Sequence, residues 1–196
     1  MFQVRIHGRG GQGVVTAAEL LAVAAFEQGR RAQAFPSFGS ERTGAPVVSF
    51  CRIYDHPIRT REPVMSPDAV LIQDVTLLHQ IDVFAGIAPE GFALVNTSRS
   101  LEELGLAGLV ASLPAGHAAT CPATDLALEH VGRPLPNAAL LGGLAALTGV
   151  ITPGALANAI GERFAGAVGE RNVAAARAAF EFVRVEQERL TSAATD

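Results

Sequence analysis

Lysine and tryptophan are both absent from this 196-residue chain, which has one tyrosine and two cysteines. Without lysine there is neither a Schiff-base amine nor a P-loop lysine, so every basic side chain is an arginine. Cys51 and Cys121 stand far apart with no C-x-x-C spacing, so this chain alone builds neither an iron-sulfur cluster nor a thiolate zinc site. With a net charge of -4 and no basic run, it is not expected to bind nucleic acid. No apolar run reaches the roughly 18 residues of a membrane helix, and the first residues carry no signal-peptide pattern, so a cytoplasmic protein is expected. Aromatic residues are only 6% against 49% hydrophobic, which predicts a core of small and aliphatic side chains.

What is present reads as alternating strands and helices. In "FQVRIHG" apolar and polar residues alternate with the period of a strand. Glycines follow, and then "VVTAAELLAVAAFEQG" predicts a helix buried on nearly all sides and ending at Gly29. "RRAQAFPSF" predicts a second strand broken at Pro36, and "APVVSFCRIYDHPI" a longer one at a hairpin or sheet edge. "SPDAVLIQD" and "EGFALVNTS" have the form of buried parallel strands, with a helical pattern over "VTLLHQIDVFAGI" between them. A strand, turn and helix are expected in "LPAGHAATCPATDLALEH" and a helix in "PNAALLGGLAALTG". Thr152-Pro153 should then cap another helix. A last amphipathic helix presents Val173, Ala176, Phe180, Val183, Gln187 and Leu190 on one face, to pack on its own sheet or a neighbouring subunit. The expected architecture is a single Rossmann-like three-layer α/β domain over 1–190. Its sheet is mostly parallel with an antiparallel edge or hairpin, and residues 191–196 form a frayed tail.

Two stretches carry the functional signal. Gly8, Gly10 and Gly13 fit G-x-G-x-x-G between a strand and a helix, where exposed backbone N-H groups and the helix dipole favour a phosphate. The dinucleotide fingerprint also needs an acid about 20 residues further on, and "RAQAFPSF" has none, which disfavours NAD. The turn then either lets helix and strand approach closely or meets another ligand or a partner chain. The second stretch, "AFPSFGSERTGAPVVSFCRI", is a polar loop framed by Pro36, Gly39, Gly44 and Pro46 that contains Ser37, Ser40, Glu41 and Arg42. Such a loop is either a binding element or a solvated connection with a weak Glu-Arg pair.

Taken together, Gly-x-Gly-Gly-Gln-Gly at Gly8–Gly13 and Phe-Gly-x-Glu-Arg-x-Gly-Ala-Pro-Val at Phe38–Val47 resemble the gamma subunit, or gamma domain, of 2-oxoacid:acceptor oxidoreductases. "VLIQDVTLL" is similar to that family as well. The resemblance implies a subunit of an enzyme that oxidatively decarboxylates a 2-oxoacid, such as pyruvate, a branched 2-oxoacid or phenylglyoxylate, on thiamine diphosphate and transfers the acyl group to coenzyme A. Thiamine diphosphate, Mg and iron-sulfur clusters would then sit on alpha, beta and delta partners, with ferredoxin, or NAD through an FAD-bearing subunit, as acceptor. It also implies that Gly10, Gly11, Gln12 and Gly13, with Ser37, Ser40, Glu41 and Arg42, form a coenzyme A or inter-subunit contact. The competing reading is a free-standing Rossmann-like protein that binds a nucleotide or flavin.

Other side chains offer less. His7, His56, His79, His117 and His130 lack metal-ligand spacing and read as structural or surface residues. Glu102 and Glu103 are adjacent and read as a solvated turn, while Cys51 and Cys121 read as buried, inert thiols.

Overall fold

The computed structural model describes residues 1–37 and 44–193. Strand β1 (Phe2–Arg9) leads through the glycine turn into α1 (Val14–Glu27) and then β2 (Arg31–Pro36). β3 (Pro46–Tyr54), β4 (Ala69–Ile72), β5 (Phe92–Asn96) and β6 (Ala118–Cys121) complete a six-stranded sheet. A short 3-10 helix (Val75–His79) follows β4, and α2 (Ala107–Ser112) lies between β5 and β6. Four helices close the chain: α3 (Ala123–Val131), α4 (Asn137–Thr148), α5 (Pro153–Arg163) and α6 (Gly166–Ala193).

The strand order is β2-β3-β1-β4-β5-β6. β1, β4, β5 and β6 run parallel, whereas β3 is antiparallel to both β1 and β2. The expected antiparallel element is therefore one strand inside the edge, and β2 is the edge itself. Helix α1 crosses from β1 to β2 on one side, while the chain after β4 proceeds to the other. That reversal makes the carboxyl ends of β1 and β4 the switch point of the sheet, where open α/β sheets bind ligands.

One face of the sheet carries the main core. Val4, Ile6, Cys51, Ile53, Leu71 and Leu94 point into it and meet buried residues of α1, α4, α5 and α6. The opposite face has a thinner cover, in which Val70, Ile72 and Val95 pack under Leu77 and Val83. Over β1 and β3 that face is polar. Buried Arg5 donates to the carbonyls of Val83 (3.0 Å) and Ala85 (2.6 Å), and Arg52 donates to Gln3 Oε1 (3.0 Å).

Local signals explain most boundaries. Gly29, at φ 77°, follows α1 in a left-handed conformation, and its N-H returns to the Phe26 carbonyl. Thr152 caps α5 by accepting from Ala155 N, with Pro153 at the first helical position. The stretch after β4 differs from the expected helix, because only Val75–His79 is helical and as a 3-10 turn. Gly86 lies there at φ 70°, and a side chain on it would overlap the Met65 carbonyl oxygen. The apolar spacing of Leu77, Val83, Phe84 and Ile87 serves packing on the sheet without a continuous helix.

The last helix also differs at its end. It continues to Ala193, and the hydroxyls of Thr191 and Ser192 donate to the carbonyls of Gln187 and Glu188. The expected tail from 191 thus begins inside the helix, and residues 194–196 lie outside the described residues. Of its expected face, Ala176 and Val183 are buried, whereas Leu190 is exposed. Asn172, Ala175 and Ala179 are buried as well, so the contact face is wider than the heptad spacing suggested. Its partners are α3, α4, α5 and strand β6 of the same chain, so it packs on its own sheet.

The crossing of α4 and α6 is tight because Gly142 has no side chain: a Cβ there would overlap the Ala176 carbonyl. Gly142→Ala should therefore destabilise the fold by about 1–3 kcal/mol or more through overpacking. Gly161→Ala, where a Cβ meets nothing, should be neutral or stabilising by about 0.5–1 kcal/mol. Urea denaturation of the two variants measures the contrast.

Candidate functional site

The glycine turn sits at the carboxyl end of β1, and its glycines have separate physical reasons. Gly11 (φ 94°) and Gly13 (φ 72°) adopt left-handed backbone conformations. A side chain on Gly13 would also come within 2.6 Å of Asn137 Nδ2. At Gly8 the reason is close approach, since a Cβ would lie 2.6 Å from Val14 Cγ2. Gly13 is the N-cap of α1 and offers no side-chain acceptor to the first turn. Among the described residues, no acceptor is paired with the N-H groups of Gly11, Gly13, Val14, Val15 and Thr16. These five donors form a positively polarised helix end of the kind that attracts an anion.

The turn closes on its own backbone through Gln12 N-H to the Arg9 carbonyl (3.0 Å), and side chains then tie it to β4. Gln12 Oε1 accepts from Arg9 N (2.7 Å) while its Nε2 donates to Asp74 Oδ2 (2.7 Å). Arg9 reaches the same carboxylate at 3.2 Å and donates to the Gly44 carbonyl at 3.0 Å. Asp74 also accepts from the Thr76 backbone N-H (3.0 Å) and hydroxyl (2.5 Å), capping the 3-10 helix. Burial alone would raise the Asp74 carboxyl. The hydrogen bonds from Thr76 and Gln12, with the Arg9 charge, outweigh it and hold the carboxyl below its ordinary value.

Of the expected contact residues, Gly10, Gly11, Gln12 and Gly13 share this turn but differ in what they have free. Gly10 is engaged at both ends, its N-H donating to Ala45 O (2.9 Å) and its carbonyl accepting from Gly44 N (3.1 Å). Gln12 is spent on Arg9 and Asp74. Ser37 is exposed at the end of β2, with its N-H on Val48 O (2.8 Å). Ser40, Glu41 and Arg42 lie outside the described residues. The two motifs nevertheless meet, because Gly44 and Ala45, the far end of the second, are bonded to Gly10 of the first.

Sequence reasoning missed several neighbours. Gln73 ends β4 almost fully buried, and neither its Oε1 nor its Nε2 has a partner among the described residues. Its Oε1 stands 3.1 Å from where a Cβ on Gly8 would lie, so the free amide borders the glycine turn. Asn96 ends β5 and bridges the Gln73 carbonyl (2.8 Å) and Thr124 at the start of α3. Asn137 opens α4 beside Gly13. The available signal was positional: each of these residues follows an apolar strand or opens a helix, at the strand ends where α/β sheets place polar groups.

His7 is buried one residue before the turn on the polar face, with neither ring nitrogen paired among the described residues. Burial, and then the Arg5 charge, push its pKa down to about 4. Both cysteines are buried and free, and burial pushes the Cys121 thiol up to about 12. Glu103 forms a reciprocal capping box with Ser100, each accepting the other's backbone N-H. Among the described residues, no helix is long and apolar enough to cross a membrane.

The family described as pyruvate ferredoxin/flavodoxin oxidoreductase matches residues 3–182. Pyruvate synthase subunit PorC of Methanothermobacter marburgensis is 48% identical over 181 residues, covering 92% of this chain and 97% of its own. The common gamma subunit of the pyruvate/ketoisovalerate oxidoreductases of Thermococcus kodakarensis is 48% identical over 180 residues, covering 92% and 96%. The crystal structure of pyruvate oxidoreductase subunit PORC from Thermotoga maritima superimposes with a TM-score of 0.77 at 36% identity, covering 92% of this chain and 95% of that one.

Acid should weaken the fold through His7. Its folded pKa near 4 lies below the ordinary 6.5, so the unfolded chain binds the proton first as pH falls. The associated stability is complete above pH 6.5 and is lost down to about pH 4, amounting to about 3 kcal/mol. Urea midpoints measured across that window should fall less steeply in His7→Leu than in the parent. Parallel slopes would remove His7 as the source.

Proposed function

This chain belongs to the pyruvate ferredoxin/flavodoxin oxidoreductase family, and from that premise we propose that it is the gamma subunit of a coenzyme A-acylating 2-oxoacid oxidoreductase. Its own task is to hold the phosphate-bearing part of coenzyme A at the glycine turn and to seat that turn against partner subunits. The 2-oxoacid is pyruvate or a branched relative such as ketoisovalerate, following the names of the relatives. Thiamine diphosphate, Mg and iron-sulfur clusters belong to alpha, beta and delta partners, and ferredoxin, or NAD by way of an FAD-bearing subunit, takes the electrons. The protein works in the cytoplasm.

The observation that carries the coenzyme A assignment is the set of five unpaired N-H groups around Gly11, Gly13 and the start of α1. Three features make that end suitable for a phosphate. Asp74, the carboxylate bonded to the turn, is already neutralised by Arg9. The amides of Gln73 and Asn137 add uncharged polar groups at the same strand ends. Arg42 follows in the loop whose far end is bonded to Gly10. Coenzyme A supplies the thiol that accepts the acyl group, and this chain orients the carrier without entering the bond-making step. A nicotinamide dinucleotide fits less well, because β3 separates β2 from β1 and removes the strand end that reads a ribose in dinucleotide folds.

Steady-state kinetics of the assembled complex test the proposal. Arg42→Ala, which removes one charge-assisted contact worth about 1.5–3 kcal/mol, should raise the KM for coenzyme A about tenfold or more. Gly13→Ala should do the same by reorienting the turn. Neither should change the KM for the 2-oxoacid. An unchanged coenzyme A KM in intact complexes of both variants would remove the glycine turn from coenzyme A binding.

A further inference from the structure

Strand β6 ends the sheet opposite β2, and its free edge is unlike the other. β2 carries the usual protections of an edge, with Arg31 exposed and Pro36 closing it. β6 reads Ala-Ala-Thr-Cys and has neither charge nor proline. Ala93 N donates to His117 O and Thr97 N to Cys121 O, so alternate residues of β6 face β5. The backbone groups of Ala118 and Thr120 consequently point away from the sheet. Among the described residues no backbone partner is seen for them.

This open edge is nonetheless recessed. It forms the floor of a cavity of about 620 Å³, walled on one side by Leu101 and Val110 and on the other by Leu190 of α6. Ala118 is only 5% exposed although it lies on an edge strand, whereas Val110 (43%) and Leu190 (36%) stand exposed at the rim. The charged side chains lining the slot among the described residues are Glu102 and Glu186, one on each wall; Glu186 is paired with Arg189 of its own helix (3.1 Å), which leaves Glu102 as the carboxylate without an ion-pair partner. Edge hydrogen-bonding groups at the bottom of an apolar slot with an unneutralised carboxylate on one lip match one occupant in particular. It is an extended segment with apolar side chains toward the slot and an arginine or lysine at the flank that meets Glu102.

We propose that β6 accepts a seventh strand from another subunit of the oxidoreductase complex, an extended apolar segment with a basic flank. Ala118 and Thr120 supply the main-chain hydrogen bonds, Val110 and Leu190 cover its side chains, and Glu102 pairs with its basic residue. A second copy of this chain is a poor occupant. Its own β6 is recessed between the same walls and cannot reach the first, and the pairing would bring carboxylates together. The proposal rests on the gamma-subunit reading for the existence of the partner, and on the β6 edge alone for where the partner binds.

Amide exchange resolved to single residues, on the full chain alone and in the complex with its co-expressed partners, tests this. The amides of Ala118 and Thr120 should exchange at least about tenfold more slowly in the complex, while those of Ala119 and Cys121, already bonded to β5, change little. Val110→Arg, on an exposed wall position, should leave the melting temperature of the isolated chain unchanged and weaken assembly about tenfold or more. Raised salt should weaken assembly of the parent. A complex that forms with Ala118 and Thr120 unprotected, or with full affinity for Val110→Arg, overturns the docking site and leaves the gamma-subunit reading standing. Protection of the same amides in a homodimer overturns the choice of partner. A chain that assembles with no other subunit overturns both.

Discussion

The Asp74 carboxylate ties together the parts of the molecule on which its binding edge depends. It closes the end of β4, caps the 3-10 helix through Thr76, receives Gln12 from the glycine turn and neutralises Arg9 at the end of β1. A glycine turn is soft by nature, since residues without side chains resist displacement weakly. Here its stiffness is borrowed from a neighbouring strand. The arrangement leaves the α1 N-terminus uncovered while fixing where it points, the preorganisation that anion binding requires.

The same design separates groups that hold the turn from groups with unpaired donors within one short motif. Gly8 permits contact with Val14, Gly10 pairs with Gly44 and Ala45, and Gln12 serves as a staple. Only Gly11, Gly13 and the first turn of α1 keep unpaired donors. A motif that reads as a uniform phosphate loop is thus divided between holding its own shape and presenting N-H groups. Behind it lie neutral amides and buried arginines, so the neighbourhood is polar without being acidic.

Much of this was legible in the sequence where local chemistry decides it. The alternation of Phe2, Val4 and Ile6, the glycine after α1 and the Thr152-Pro153 cap each specify a short-range geometry, and each element formed where expected. The family resemblance rested on two motifs that the fold joins at Gly10 and Gly44. What stayed hidden depends on contacts between distant segments. Nothing local tells that β3 inserts between β1 and β2, or that Arg52 is buried against Gln3. The apolar spacing after β4 resembled a helix because burial against a sheet selects the same residue types, and only the left-handed Gly86 betrays the break. Gln73 lies within the stretch "VLIQDVTLL", but its unpaired amide becomes visible only when β4 is placed beside β1.

The strand order also bears on how the molecule is made. β1 precedes its sheet neighbours in the sequence, yet it is central in the finished sheet, flanked by β3 through Phe2↔Ile53 and by β4 through Val4↔Ala69. Both neighbours are synthesised after it, β3 at Pro46–Tyr54 and β4 at Ala69–Ile72. Until then its two edges, with Arg5 and His7 on one face, have no strand to pair with. This strand is consequently closed on both sides only by long-range pairing, a topology associated with slow folding.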